Sequence, residues 1–427
     1  MNLLDDLRWR GLLHQVTDAD FAKQALQDQK VTAYIGFDPT AASLHVGSLL
    51  QIVLLARLGR AGHTPIAVVG GGTGRIGDPS GKTAERKLLS DADVTGNVAA
   101  IHAQIGAVLD NAGVQALRID NADWLCSQDL IGFLRDVGKH FSVNAMIARD
   151  SVKNRLEARE QGISYTEFSY MLLQAFDFVE LYRRHGCMAQ FGGSDQWGNI
   201  VSGIDLIDRL ERRADGSLPH GPAFGVTVPL VTTKSGQKFG KTEAGAVWLD
   251  ADLTSPYQFY QFWMNSDDDD ALRYLAYFTF IKQDEYEALK AAHLEAPHQR
   301  QAQRRLADEV TALVHPQQLP AVQAAVKVLF GGNPLEADLA TLQVLQRELP
   351  TCALPADASV EQLLVGDNRP FASNSEARRA VAQNAVTISG QKFTSDLRAP
   401  VPAEAWLRDR YVLVRKGKKD WFLAART

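Results

Sequence analysis

GGTGRIGDPSGKT, residues 71–83, follows the apolar run TPIAVVG and carries Asp78 and Lys82, with Arg86 just beyond. A glycine-rich turn after a strand lets backbone amides approach phosphate, so a phosphorylated ligand is the first chemistry to test. Two familiar loops fail that test. Gly72-x-Gly74-x-x-Gly77 has the spacing of a dinucleotide fingerprint, but Pro79 and the small residues beside it delay the helix that should face a pyrophosphate. A triphosphate loop of the G-x-x-x-x-G-K type needs a longer gap than Gly77 to Gly81 encloses, and Pro79 removes an amide donor. A second cluster, HVGS at 45–48, puts His45 at a helix start, as a cap or as part of an anion site. A third, KFGKT at 238–242, carries Lys238 and Lys241, which suit a solvated surface or a phosphate clamp. A fourth lies in ISYTEFSYMLLQAFDFVEL, where Tyr170, Gln174 and Asp177 form one stripe at i, i+4 and i+7. Phe168, Met171, Leu172, Leu173, Phe176, Phe178 and Val179 fill most other positions, so the helix is buried. Its polar stripe must then find partners, in the protein or in a ligand, because an unpaired group costs about 1–3 kcal/mol.

The elements that position these residues read as a parallel α/β sheet. TAYIGF, TPIAVVGG and GCMAQFGG are predicted strands, each ending at a glycine-rich turn that opens a helix. Helices are predicted around 46–60, 164–181 and 196–213, with Ser164 and Glu167 as a capping box. Ligands of open sheets collect beyond the carboxyl ends of the strands, where all these turns fall. Residues 228–242 read as a mobile loop and 255–330 as mostly helical. Asp267 to Asp270 sit at a predicted helix start, where the helix dipole favours acids without any metal. A Pro/Gly-rich stretch, FGGNPLEADLA through ELPTCALPADAS, precedes a tail in which Ser373 caps a helix and Glu376 follows three residues later. VTISG is a predicted strand and turn, and YVLVRKGKKDWFLA a hairpin with a basic tip.

Composition narrows the function classes. The length allows two or three domains, and no apolar run approaches the roughly 20 residues that span a bilayer. The N-terminus lacks the basic start and apolar middle of a secretory signal, so a cytoplasmic protein without membrane or DNA partners is expected. Cys126, Cys187 and Cys352 form no C-x-x-C pair and read as buried free thiols, not zinc ligands or disulfides. The net charge of −5 excludes a uniformly basic nucleic-acid binder, yet residues 361–427 hold 12 Lys and Arg against 7 Asp and Glu. The tail is a basic module on an acidic body.

HVGS and KFGKT, in that order on an α/β chain, resemble the H-I-G-H and K-M-S-K-S elements of class I aminoacyl-tRNA synthetases. YIGFDPTA, GDPSGK, TEFSYMLLQAFDF, GGSDQWGNI and the basic tail extend the likeness over nearly the whole chain, to bacterial tyrosyl-tRNA synthetases. The resemblance implies an α/β fold: a Rossmann-like parallel-sheet catalytic domain over 1–227, then the KFGKT loop and a helical domain over 228–330. A linker at 331–360 and a small α+β RNA-binding domain at 361–427, similar to ribosomal small-subunit protein four, would follow. It further implies that tyrosine and ATP condense to tyrosyl-adenylate with release of pyrophosphate, and that the tyrosyl group passes to the 3′ end of tRNA(Tyr). Tyr34 and Asp177 would then bond the substrate's phenol, Asp78, Tyr170 and Gln174 its ammonium, and Gln196 would lie near its carboxylate. Gly36, Asp38, Thr40, His45, Gly47, Ser48, Gly193 and Asp195 would meet ATP, whose phosphates carry Mg²⁺. Thr40, His45, Lys82, Arg86, Lys238 and Lys241 would stabilise the departing pyrophosphate. Ser48 departs from the commoner second His; it can hydrogen-bond but carries no charge. The 71–83 loop becomes the floor of the amino-acid site, no tightly bound organic cofactor is called for, and the family pattern implies a homodimer joined near residues 125–150. The rival readings are a tryptophanyl-tRNA synthetase, against which Asp177 opposite Tyr34 argues, and a non-catalytic RNA-binding relative, against which the intact KFGKT and Gln196 argue.

Overall fold

The computed structural model of the chain describes residues 2–80, 89–149, 152, 153, 156, 162–232, 239–242 and 245–427. Lys82, Arg86 and Lys238 lie outside the described residues, as does the middle of the predicted 228–242 loop, and Lys241 is described through its backbone alone. The chain divides into two compact units, one of residues 1–255 with 261–314 and one of residues 256–260 with 315–427.

The first unit is built on a six-stranded sheet of β1 (Gln15–Val16), β2 (Thr32–Phe37), β3 (Thr64–Val69), β4 (Leu117–Asp120), β5 (Cys187–Gly193) and β6 (Phe224–Val228), in the order β1-β6-β5-β2-β3-β4. Every pairing is parallel except β1 with β6. All seven residues of β5 are buried, as a strand covered by helices on both faces must be. The three strands and three helices expected from sequence are present. Helix Val46–Arg60 is capped by His45, helix Tyr165–His185 by Ser164, and helix Trp197–Glu211 follows a short 3-10 turn, Ser194–Gln196. The long helix ends at Gly186, whose φ of +57° is the left-handed conformation that closes a helix. From β2 the chain moves outward through β3 and β4, then returns across the sheet to β5. The carboxyl ends of β2 and β5 therefore flank the point where the connections diverge, which is where an open α/β sheet has a crevice.

Helix Asp268–Phe278 begins with the four acids as predicted, but they are not side-chain caps. Asp268 accepts from Gln303 Nε2 at 2.7 Å and Asp270 pairs with Arg273. At the other end two buried guanidiniums cover the last carbonyls. Arg10 donates to Ala276 O (3.0 Å) and Ile281 O (2.7 Å), while Arg57 donates to Ala276 O (3.2 Å) and Thr279 O. Asp6 bridges both arginines, at 2.9 and 3.1 Å. Burial, with Arg10 adding repulsion, lowers the Arg57 guanidinium to about 9 against the pull of Asp6.

The second unit carries a five-stranded sheet in the order 391–392, 386–388, 411–416, 420–426, 351–354. The predicted hairpin is present, and Ser373 caps helix Asn374–Ala382; Glu376 turns its carboxylate to Lys416 Nζ at 2.9 Å. Residues 331–360, expected as a linker, instead hold helix Leu339–Glu348 and strand Thr351–Leu354, which pairs in parallel with strand Asp420–Arg426. Leu342 and Leu345 share a core with Tyr411, Leu413 and Leu423, so the basic tail folds onto its own run-in. One expectation about cysteines needs correcting: Cys187 is buried, but Cys126 is exposed and Cys352 only half-buried.

Candidate active site

The crevice at the carboxyl ends of β2 and β5 gathers most of the polar residues singled out in the sequence. Tyr34 lies on β2 in register with Gln190 of β5, so both side chains project to one face of the sheet. Tyr34 is 2% exposed, its ring meets Phe178 edge-on at 5.3 Å, and its hydroxyl has no hydrogen-bond partner among the described residues. Gln190 Oε1 is likewise buried without a partner. Desolvation and the nearby charge of Asp177 push the Tyr34 phenol well above its ordinary range, so it stays a neutral donor.

Asp177, 4% exposed, accepts from Trp124 Nε1 at 2.7 Å and from Asn121 Nδ2 at 2.8 Å. Burial raises its pKa from 3.8 to about 7, with the two donors opposing the rise. Asn121 also donates to Thr73 Oγ1 (2.9 Å) and accepts from the amides of Gly72 (2.8 Å) and Thr73 (3.4 Å). Gly71 N donates to Asp120 Oδ1 at 3.0 Å. Gly71 and Gly74 are thus accounted for by protein: a Cβ on Gly71 would lie 2.2 Å from the Asp120 carboxylate, and one on Gly74 would lie 2.7 Å from Pro39. Amides that looked available to phosphate are spent on Asp120 and Asn121. The described part of the loop lines the crevice and leads to Asp78.

Asp78, 6% exposed, accepts from Ser80 N (2.9 Å) and from Gln196 Nε2 (2.8 Å). Gln174 donates to Gln196 Oε1 at 3.2 Å and accepts from Asn199 Nδ2 at 2.9 Å. Tyr170 OH reaches Asp38 Oδ1 at 3.4 Å. One hydrogen-bonded rim therefore joins the helix stripe, the residues after β2, the glycine-rich loop and the turn after β5. Asn121, Trp124, Gln190, Ser80 and Asn199 were not picked out as site residues. Asn121 and Trp124 follow β4 in LRIDNADW, a strand that breaks no apolar pattern conspicuously, and Asn199 is in the quoted GGSDQWGNI without having been assigned a role.

Gly36 is exposed with open space where a side chain would stand, whereas a Cβ on Gly193 would lie 2.6 Å from Asp195 Oδ1. Thr40 is exposed at the mouth, its amide held by Asp38 O at 2.9 Å. His45 Nδ1 accepts from Gly47 N at 2.9 Å, which puts the proton of a neutral ring on Nε2. Its ring rests edge-on against Trp248 at 6.3 Å. Ser48 contributes its amide to His45 O at 2.8 Å. The segment after KFGKT is stitched to this helix start: Val247 N donates to Gly240 O, Val46 N to Val247 O and Leu249 N to Leu44 O, at 3.0, 2.9 and 2.9 Å. The two motifs, about 200 positions apart in sequence, are neighbours at the crevice.

Comparison with known proteins bears on this arrangement. The family described as tRNA synthetases class I (W and Y) matches residues 26–331, and the tyrosine–tRNA ligase SYY-like C-terminal domain matches residues 341–424. A tyrosine–tRNA ligase of Thermobifida fusca (strain YX) is 49% identical over 434 aligned residues, covering 98% of this chain and 98% of that one. Another, from Bacillus caldotenax, is 46% identical and covers 99% of each. Among solved structures, a C-terminally truncated mitochondrial tyrosyl-tRNA synthetase of Aspergillus nidulans superposes with a TM-score of 0.70 at 32% identity, over 77% of this chain and 94% of that one.

The buried Asp177 makes a prediction about pH. Its folded-state pKa of about 7 lies above the ordinary 3.8, so the folded chain holds this proton more tightly than the unfolded chain does. Its contribution to stability is therefore fully present below 3.8, declines as pH rises toward about 7, and is constant above that. Urea unfolding midpoints of the wild type, referenced to Asp177→Asn, should fall across this window; a difference that stays flat with pH would refute the assignment.

Proposed function

This chain belongs to the class I tRNA synthetases of the tryptophan and tyrosine type, and we propose that its residues carry out tyrosine–tRNA ligation as follows. L-Tyrosine is activated by ATP to tyrosyl-adenylate with loss of pyrophosphate, and the tyrosyl group is then transferred to the 3′ end of tRNA(Tyr). The observation that carries the choice of amino acid is the closed end of the crevice, where the unpartnered Tyr34 hydroxyl lies within the field of the buried Asp177 carboxylate. A phenol both donates and accepts, so it can satisfy this pair. An indole N–H only donates and would leave the Tyr34 hydroxyl unpaired, which disfavours the tryptophan reading.

In this reading Tyr34 and Asp177 hold the phenol, and Trp124 and Asn121 keep Asp177 aimed. Asp78, Tyr170 and Gln174 receive the ammonium group, and Gln196 orients the carboxylate. That carboxylate is the nucleophile: one of its oxygens attacks the α-phosphorus of ATP as the bond to pyrophosphate breaks. The chain therefore needs no nucleophile of its own for this step, and the barrier is lowered by alignment and by charge at the leaving group. Gly36, Asp38, Gly47, Ser48, Gly193 and Asp195 receive the nucleoside. Thr40, His45, Lys82, Arg86, Lys238 and Lys241 receive the phosphates, with Mg²⁺ arriving on ATP as part of the substrate. With Nδ1 accepting from Gly47 N, His45 presents Nε2–H as a donor to a phosphate oxygen.

We further infer a homodimer and a tRNA surface. The segment proposed for the interface exposes Leu130, Ile131 and Val143 at 69, 67 and 57%, an apolar patch that favours burial against a second copy. The hairpin tip in the basic unit exposes Lys418 and Lys419, suited to phosphate. Among the described residues no helix is long and apolar enough to cross a membrane. A cytoplasmic site of action, with neither membrane nor DNA as partner, follows from the tRNA substrate.

Exchange of labelled pyrophosphate into ATP should require tyrosine; exchange with tryptophan alone, or none, would overturn the reading. His45→Ala should lower single-turnover adenylate formation by roughly 10²-fold with tyrosine affinity little changed. Leu130→Arg combined with Ile131→Arg should convert the dimer to monomer in sedimentation equilibrium, and a monomeric wild type would end the dimer proposal. Lys418→Glu with Lys419→Glu should leave adenylate formation alone, weaken tRNA charging and reduce the salt slope by about 1 per lysine. An unchanged slope would remove the tip from the tRNA surface.

A further inference from the structure

Phe239 lies inside KFGKT, between the two lysines, and has no part in the chemistry described above. It is 4% exposed, in a socket made by two helices, Pro256–Met264 and Asp268–Phe278. Its ring lies 4.8 Å from that of Tyr274 and 5.5 Å from Phe262, and it stacks on Phe278 at 5.5 Å with an interplanar angle of 23°. Trp263 completes the socket at 5.8 Å. The next residue is pinned from the opposite side. Gly240 has φ +81°, and a Cβ there would stand 2.8 Å from Val46 Cγ2 at the first turn of the helix that His45 caps. Only glycine tolerates both conditions. The peptide linking Phe239 to Gly240 is thus held between an aromatic socket and the amino end of helix Val46–Arg60.

The socket helix is itself tied to that same helix. Arg57, near the carboxyl end of Val46–Arg60, donates to the carbonyls of Ala276, Tyr277 and Thr279 at the end of Asp268–Phe278. On its other flank, Arg273 and the Tyr274 hydroxyl donate to Thr232 O, where the chain enters the KFGKT segment. His45 and the Phe239 socket therefore belong to one frame.

We propose that Phe239 is a positioning residue for amino-acid activation: seated in this socket, it fixes the backbone of Gly240 and Lys241 beside the helix start that His45 caps. The proposal rests on the reading that Lys241 receives the pyrophosphate. A charge acts on a developing oxyanion only from the right place, and a lysine side chain alone cannot supply that place. The backbone that carries it can, once a buried ring fixes it.

The test is single-turnover adenylate formation by Phe239→Ala and Phe239→Leu, each alone and combined with Lys241→Ala, with tyrosine dissociation constants and melting temperatures measured alongside. Phe239→Ala should slow formation on the order of 10- to 100-fold, as for a misplaced catalytic group, with tyrosine affinity unchanged. Phe239→Leu, which still fills the socket, should recover most of the rate. In the Lys241→Ala background, Phe239→Ala should cost no more than about threefold further, because both changes remove one interaction. Losses that multiply in the double variant, or tyrosine affinity that falls in parallel, would assign Phe239 a purely structural role and overturn the proposal. A slowed Lys241→Ala beside an unchanged Phe239→Ala would sink this inference alone. An unchanged Lys241→Ala beside a slowed Phe239→Ala would sink the pyrophosphate reading and this route of action with it.

Discussion

A carboxylate taken out of water must be compensated by donors, and the compensation of Asp177 organises the end of the crevice. Its two oxygens are held by Trp124 and Asn121. Asn121 in turn takes the amides of Gly72 and Thr73. Four separate pieces of chain meet there: the helix carrying Asp177, the end of β4, the glycine-rich turn after β3, and β2 with Tyr34. Even so the compensation is incomplete, since burial still raises the carboxyl to about 7 and the Tyr34 hydroxyl has no partner among the described residues. In the proposed reading, a tyrosine phenol makes good that deficit. Stability is spent so that binding has somewhere to act.

The end of the crevice proposed for the phosphates follows a different principle. Among the described residues there, Thr40 is exposed and His45 half-buried. What is held firmly is backbone, by Val46, Val247, Leu249 and Gly240, and by the aromatic packing of Phe239. An enzyme whose substrates bring their own nucleophile and leaving group has most to gain from alignment. The fixed frame of helices Val46–Arg60 and Asp268–Phe278, joined through Asp6, Arg10 and Arg57, supplies it.

Much of this was legible in the chain. Strands and helices with strong periodicity were readable because their burial is nearly complete, as in β5, or one-sided with clear caps, as at Ser164 and Ser373. The polar stripe Tyr170, Gln174 and Asp177 announced itself because three polar groups on a buried helix have no bland explanation within that helix. By contrast, the donors to Asp177 were illegible: an Asn and a Trp at the one-turn helix Ala122–Leu125 carry no periodic signal, and their role exists only through contacts more than 50 positions away. The run-in to the basic tail was misread for a similar reason. Strand Thr351–Leu354 is four residues long and lies in a Pro-rich segment, and it is a strand because Asp420–Arg426 is there to pair with it.

By itself, then, the sequence determined local matters: where the chain turns, which faces are apolar, which residue types could meet a phenol, an ammonium group or a phosphate. It also carried the family likeness, through short motifs whose residue types are constrained by chemistry. Only the tertiary structure decided that the glycine-rich turn serves Asp120 and Asn121, that His45 and Gly240 adjoin, and that Phe239 is buried. Hydrogen-bond and packing partners are chosen by proximity in space, and proximity between distant segments is a property of the assembled sheet and its helices, absent from any stretch of chain taken alone.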